Sequence, residues 1–184
     1  MEKIKILLPI FFWSMMLISC NEVSFKEPQP AGVKSLREIP QELIGKYQVA
    51  DKKTAEKNDS LIIESWGYHL KDKADKDWLG KGTLSDSLVI KFYKNYYFVN
   101  FRSGDQWTLR LVKRKPSGDL DFLSIDLADE SKRANVIKKL SSQFGLKEIK
   151  KGDDRFYQIN PTRSQLLQLI KDGYFTGNEL KRID

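Results

Sequence analysis

The segment SLVIKFYKNYYFVNFRS, residues 87–103, decides the fold class, because it can be registered on itself from sequence alone. A two-residue turn at Lys94-Asn95 sets Tyr93 opposite Tyr96, Phe92 opposite Tyr97, Ile90 opposite Val99 and Leu88 opposite Phe101. One face then holds Leu88, Ile90, Phe92, Tyr97, Val99 and Phe101 without a charge, which marks a core face. A slip of one residue would mix the two sets, so the pattern selects this register. The reverse face carries Val89, Lys91, Tyr93, Tyr96, Phe98 and Asn100. The register therefore predicts that Ile90→Asp unfolds the protein while Lys91→Asp is tolerated.

That reverse face is more aromatic than a solvated surface needs, so it must be covered or used. One account packs a C-terminal helix bearing Val136 and Leu140 over it. The other makes Tyr93 and Tyr96, near the hairpin tip, a platform for a partner or a sugar, since tyrosine offers apolar area with a hydroxyl handle. Phe98 is expected to be covered. Tyr93 and Tyr96 are the candidate partner contacts.

Working outward, strand signals recur at Lys46–Ala50, Ser60–Glu64, Trp66–Lys71, Ser87–Tyr93, Tyr96–Arg102, Gln106–Arg114 and Leu120–Leu127, separated by polar or glycine-bearing breaks. Ile39-Pro40 through Gly45 reads as a short helical turn with proline at its first position. After residue 128 the period changes. Asp129 can cap a helix whose apolar stripe is Val136, Ile137, Leu140 and Phe144, with Gly145 at its C-terminal end. Short strands at Leu146–Lys150 and Arg155–Ile159 follow. A second helix starts at Asn160-Pro161 or at the capping box Thr162-x-x-Gln165 and runs to Gly173, with Tyr174 and Phe175 folding back on it. The expected class is α+β: an antiparallel β-meander or partly closed barrel with two C-terminal helices.

The single cysteine, Cys20, stands at the foot of an apolar run that begins at Ile6 behind Lys3 and Lys5. The run is too short to span a bilayer, which takes about 20 residues, and suits a signal peptide. Leu17-Ile18-Ser19-Cys20 resembles the lipobox of bacterial lipoproteins. That resemblance implies a signal at 1–19 that is cleaved, a diacylglyceryl group on the Cys20 thiol, and anchorage in a lipid bilayer. Asn21, in place of the aspartate that retains enterobacterial lipoproteins in the inner membrane, implies the outer membrane, and the weakly acidic Asn21-Glu22-Val23-Ser24 its periplasmic leaflet. Pro28, Pro30 and Gly32 make residues 20–37 the lipidated cysteine and a flexible tether, with a reach of about 20–25 Å. Residues 38–184 form one globular domain, without a second cysteine for a disulfide.

The net charge is +7. No nucleic-acid-binding signature accompanies it, so nucleic acid is not an expected partner. The cluster Arg110, Lys113, Arg114 and Lys115 reads as a solvated strand edge, with anionic lipid or lipopolysaccharide phosphate as the functional alternative. Chemistry has little to build on. There is one histidine, His69, on a probable strand, and no free cysteine beyond the anchor, so no metal site, cofactor or nucleophilic dyad is expected. No glycine-rich phosphate loop follows a strand. The expectation is that the protein is not an enzyme.

Leu43-Ile-Gly45-Lys-Tyr47, followed by an Asp-Ser-Leu-x-Ile strand, resembles small uncharacterised lipoproteins of the Bacteroidota, a likeness that implies no activity. Asp59-Ser60-Leu61 and Asp86-Ser87-Leu88 resemble the O-glycosylation sequon of their exported proteins, putting Ser60 and Ser87 forward. Gly45-x-Tyr47 after a helical turn is also similar to the lipocalin Gly-x-Trp entry, where the aromatic closes the barrel floor against a late arginine. Two roles follow as expectations: a periplasmic module that binds an envelope protein, and, as the alternative, a lipocalin-like carrier of a small hydrophobic ligand.

Overall fold

The computed structural model describes residues 21–49, 60–70 and 80–184. In chain order these form β1 (Asn21–Phe25), a 3-10 turn (Gln41–Leu43), β2 (Gly45–Val49), β3 (Ser60–Glu64), β4 (Gly67–Leu70), β5 (Lys81–Thr83), β6 (Leu88–Tyr93), β7 (Tyr96–Ser103), β8 (Gln106–Arg114) and β9 (Leu120–Ile125). Helix α1 (Glu130–Phe144), β10 (Lys147–Lys151), β11 (Asp154–Ile159), α2 (Arg163–Lys171) and β12 (Phe175–Arg182) complete the chain. The class is α+β, with a mixed sheet that does not close.

The registering hairpin is as the alternation dictates. Leu88 pairs with Phe101, Ile90 with Val99, Phe92 with Tyr97 and Tyr93 with Tyr96. Lys94 and Asn95 both take positive φ, 52° and 68°, which a two-residue hairpin turn of this twist requires. Both helix caps match as well: Asp129 accepts from the Ser131 backbone, Gly145 is left-handed, and Thr162 and Gln165 form a reciprocal capping box.

β8 is the branch point of the sheet. β7 runs along one edge, while the other edge is shared by β1, at Trp107 and Thr108, and β9, from Leu111 to Arg114. The sheet order is β10-β11-β1-β8-β9-β12-β2-β3-β4-β5, with β6 outside β7. The two faces bury separate cores. Phe98, Trp107, Leu109 and Leu111 pack with Val23 and Phe25 of β1, Tyr157 and Ile159 of β11, and Leu140, Leu166 and Leu169 of the helices. On the other face Tyr47, Ile90, Tyr97, Val112, Leu120 and Leu180 share a cluster with Leu61 and Ile63. Strands as distant in the order as β3 and β6 meet there, so the sheet curls into a half-open cup around that second core. Tyr68 of β4 reaches Phe101 of β7 edge to face, with centroids 6.2 Å apart. The gap between β6 and the β3–β4 turn is bridged by the segment before the 3-10 turn: Leu36 N donates to Ile90 O and Ile39 N to Ser65 O.

Three expectations are corrected. The stretch 20–37 is not a tether from Asn21 onward. Residues 21–25 are a strand paired on both sides, parallel to β11 and antiparallel to β8, and Phe25 is 1% exposed. Pro28 to Pro30 then lie against the sheet: the Gln29 N–H donates to Asn100 Oδ1, and Asn100 Nδ2 donates back to Gln29 O. Prolines forbid ladder pairing, but side chains of the hairpin bind these carbonyls instead. The second correction concerns Lys91, which is buried rather than solvated. Its ammonium donates to Pro28 O at 2.6 Å and Pro30 O at 3.0 Å, so Lys91→Asp is expected to destabilise the protein. Third, Tyr174 and Phe175 return toward α2 as expected, Tyr174 N donating to Leu169 O and Phe175 sharing its core, but Phe175 also opens an unexpected strand, β12, which inserts between β9 and β2.

Candidate functional site

Cys20, the candidate lipidation residue, lies outside the described residues, as do the signal at 1–19 and the Lys52–Asn58 run. Its neighbour Asn21 is the first residue of β1.

Tyr93 and Tyr96 occupy the hairpin tip as expected, but neither is a free platform. Both are half-buried and pack against the core beneath the helices. Tyr96 meets Phe98 edge to face and lies under the Lys113 ammonium, 5.7 Å from the ring centre. Tyr96→Ala is expected to destabilise the protein by about 2 kcal/mol, in the lower range of large core truncations because the ring is only half buried; a chemical denaturation curve checks it.

What the sequence pattern missed lies at the same end of the cup on its other face. Gly45 pairs with Ile63 and Tyr47 with Arg182, so the β3–β4 turn and the end of β12 flank the start of β2. The β6–β7 tip and the β8–β9 turn fall at this end by register. The 3-10 turn plugs it. Tyr47 Oη donates to Leu43 O, Tyr97 Oη donates to Glu42 Oε1 at 2.5 Å, and Arg114 Nε donates to Glu42 O. Tyr97's hydrogen bond holds the Glu42 carboxyl below the usual carboxylate range, while burial, then Glu42, pushes the Tyr97 phenol up. Also at this end by register are Trp66 on the β3–β4 turn, Phe92 next to last in β6 and Ile183 just past β12. These are the large apolar side chains exposed among the described residues, at 39%, 45% and 52%. Lys81 sits over the Trp66 indole and His69 stacks parallel to it, 6.2 Å between centroids. Phe92 leans on Tyr97 at 4.7 Å. The signal for Phe92 was present in the hairpin pattern. Phe92 shares the face of Leu88 and Ile90, but as the last residue of that face before the turn it is exposed rather than buried.

Tyr47 is fully buried and the Arg182 guanidinium lies 5.9 Å from its ring centre, on the strand paired with it. Above this floor the inner face is lined by Leu61, Ile63, Leu70, Val99, Phe101 and Phe122, all half-buried.

A cavity of about 390 Å³ opens where β1 and β9 part from their shared edge on β8. Val23, Phe25, Leu109, Ile125 and Phe175 give it an apolar wall, and Glu22 paired with Arg110 crosses it. Arg133 closes one side, its guanidinium donating to Leu127 O and Ala128 O. Among the described residues no three His, Cys, Asp or Glu side chains are grouped as a metal site, and no described helix is long and apolar enough to cross a membrane.

No family model, curated protein or solved structure matches the chain. The reading of its role therefore rests on its own surfaces.

Proposed function

We propose that the protein is a lipid-anchored bacterial lipoprotein, held through Cys20 in the periplasmic leaflet of the outer membrane, whose domain binds another envelope protein without catalysing a reaction. The supporting observation is that the large apolar side chains exposed among the described residues, Trp66, Phe92 and Ile183, all fall by register at the plugged end of the cup. Large aromatic side chains held at a rigid rim are the usual anchors of protein interfaces. The contact site moves accordingly, from Tyr93 and Tyr96 to this rim. A photo-crosslinker placed at position 92 in cells is expected to capture one envelope protein. Trp66→Ala with Phe92→Ala should lose that protein while the thermal midpoint falls only a few degrees. Capture undiminished in the double variant would count against the rim. The anchor is checked separately: Cys20→Ala should take up no labelled palmitate and accumulate as uncleaved precursor.

A second reading, a carrier of a small apolar ligand, draws on the inner face of the cup. The Tyr47–Arg182 stack and the half-buried apolar lining above it are what such a carrier needs. Native mass spectra of the protein should then retain a lipid-sized adduct, and Phe101→Ala should release it with the rim interaction intact.

A further inference from the structure

The residue that follows Cys20 is already part of the folded sheet. Asn21 pairs with Arg155, Val23 with Tyr157 and Phe25 with Ile159 on β11, while Ser24 and Phe25 pair with β8 on the opposite edge. β1 cannot peel away to lengthen the link without exposing Val23 and Phe25, which are 6% and 1% accessible. Consecutive Cα atoms are about 3.8 Å apart, so whatever is attached to Cys20 starts within one residue of the domain surface.

We infer that the domain sits flush on the bilayer, with the surface around Asn21 seated among the lipid phosphates. The inference rests on acylation of Cys20. The polar layer of one leaflet is about 5–8 Å deep, from the difference between total and hydrocarbon thickness. Acyl chains on Cys20 occupy the hydrocarbon, which draws Asn21 down to the level of the phosphates. The surface it brings with it is specific. Asn21 lines both the cavity between β1 and β9 and a groove formed with Arg133, Ala134 and Ile137 of α1 and with Arg155 and Tyr157 of β11. Lys150 stands directly opposite Arg155 in the β10–β11 pair, and both are exposed. Like charges facing each other across a ladder are unfavourable in water, and a phosphate between them relieves the repulsion. Glu130 and Glu148 share this surface; Arg133 is held by Leu127 O and Ala128 O, while Lys150 lies 4.0 Å from Glu148, which leaves Lys150, with Arg155 opposite it, able to turn to an anion.

The test uses the full acylated protein, purified from membranes and reconstituted in phosphatidylcholine vesicles containing phosphatidylglycerol, with a fluorescent amino acid in place of Ala134. Nitroxide-labelled headgroups are the quencher. Strong quenching is expected, reduced several-fold when a Gly/Ser spacer with a reach of about 20 Å is inserted between Cys20 and Asn21. Lys150→Glu with Arg155→Glu should reduce it further in phosphatidylglycerol vesicles than in pure phosphatidylcholine. Weak quenching in acylated protein, unchanged by the spacer, would overturn flush seating and leave the anchor standing. The mass of the purified protein reports acylation independently. If Cys20 carries no acyl group, the anchor reading fails, and coupling the same thiol to a maleimide lipid lets the quenching measurement decide the geometry by itself.

Discussion

A chain that begins at residue 38 is expected not to fold. If residues 20–37 were a leash, removing them would leave the thermal midpoint where it was. They contain instead an internal strand of the sheet, and its loss uncovers the edges of both β8 and β11. Val23 and Phe25 leave the core beneath the helices, and Phe98, Leu109 and Ile159 lose the side chains packed against them. Burying one such apolar side chain contributes about 1.5–3 kcal/mol, and the cavities left behind add to the loss. A whole domain is stable by only about 5–15 kcal/mol, so the deletion should abolish the cooperative transition. The single substitution Phe25→Ala is the graded form, with an expected cost of about 3–5 kcal/mol. Far-ultraviolet circular dichroism with a thermal melt distinguishes the cases. A truncated chain melting like the parent would mean that β1 contributes nothing.

Lys91→Asp should be nearly as damaging. The side chain is 5% exposed and its ammonium donates to two backbone carbonyls, those of Pro28 and Pro30. Aspartate there would bury a carboxylate facing acceptors with nothing to donate. Leaving a buried charge uncompensated costs about 3–5 kcal/mol. Lys91→Met keeps the apolar stem and loses the two donors, so it should fall between the parent and Lys91→Asp. Burial pushes the Lys91 ammonium below its ordinary range, opposed by the nearby Glu27 carboxylate. Between the folded and unfolded values the unfolded chain therefore binds more protons. The contribution of this group to stability rises as pH climbs through that window toward the ordinary lysine value. Urea midpoints measured across the alkaline range, for the parent and for Lys91→Met, should show that rise only in the parent.

The correct and incorrect sequence readings differ in the range of the forces involved. The β6–β7 register follows from alternation and a turn, both local, and it is matched pair for pair. The two helix caps are also local, and both are present. β1 and β12 were missed for the opposite reason. Asn21–Phe25 has only two apolar side chains in alternation, and Phe175–Arg182 is mostly polar, with Phe175 and Leu180 its buried apolar residues. Neither has a hairpin partner next to it in the chain. Each becomes a strand because two distant strands, β11 and β8 or β9 and β2, present unpaired edges to it.

The same distinction governs the candidate sites. Tyr93 and Tyr96 lie on the reverse face, as alternation dictates, but how far that face is covered depends on the core it meets, and both rings pack against it half-buried. Phe92 was placed with the core and stands in solvent, because the cup ends beneath it.

By itself, the amino-acid sequence determined β2 to β4 and β6 to β9, one hairpin register, both helix caps and the α+β class, all set by periodicity and short-range hydrogen bonding; β5 fell in a stretch that reads as a glycine-bearing break. Only the tertiary structure decided that the segment after Cys20 is a core strand, that Lys91 is a buried clamp for a proline-bearing strap, and that the exposed apolar side chains gather at one end of a cup. Those outcomes depend on which sheet edges remain open after local pairing, and closing them involves residues tens of positions apart whose own patterns carry little signal.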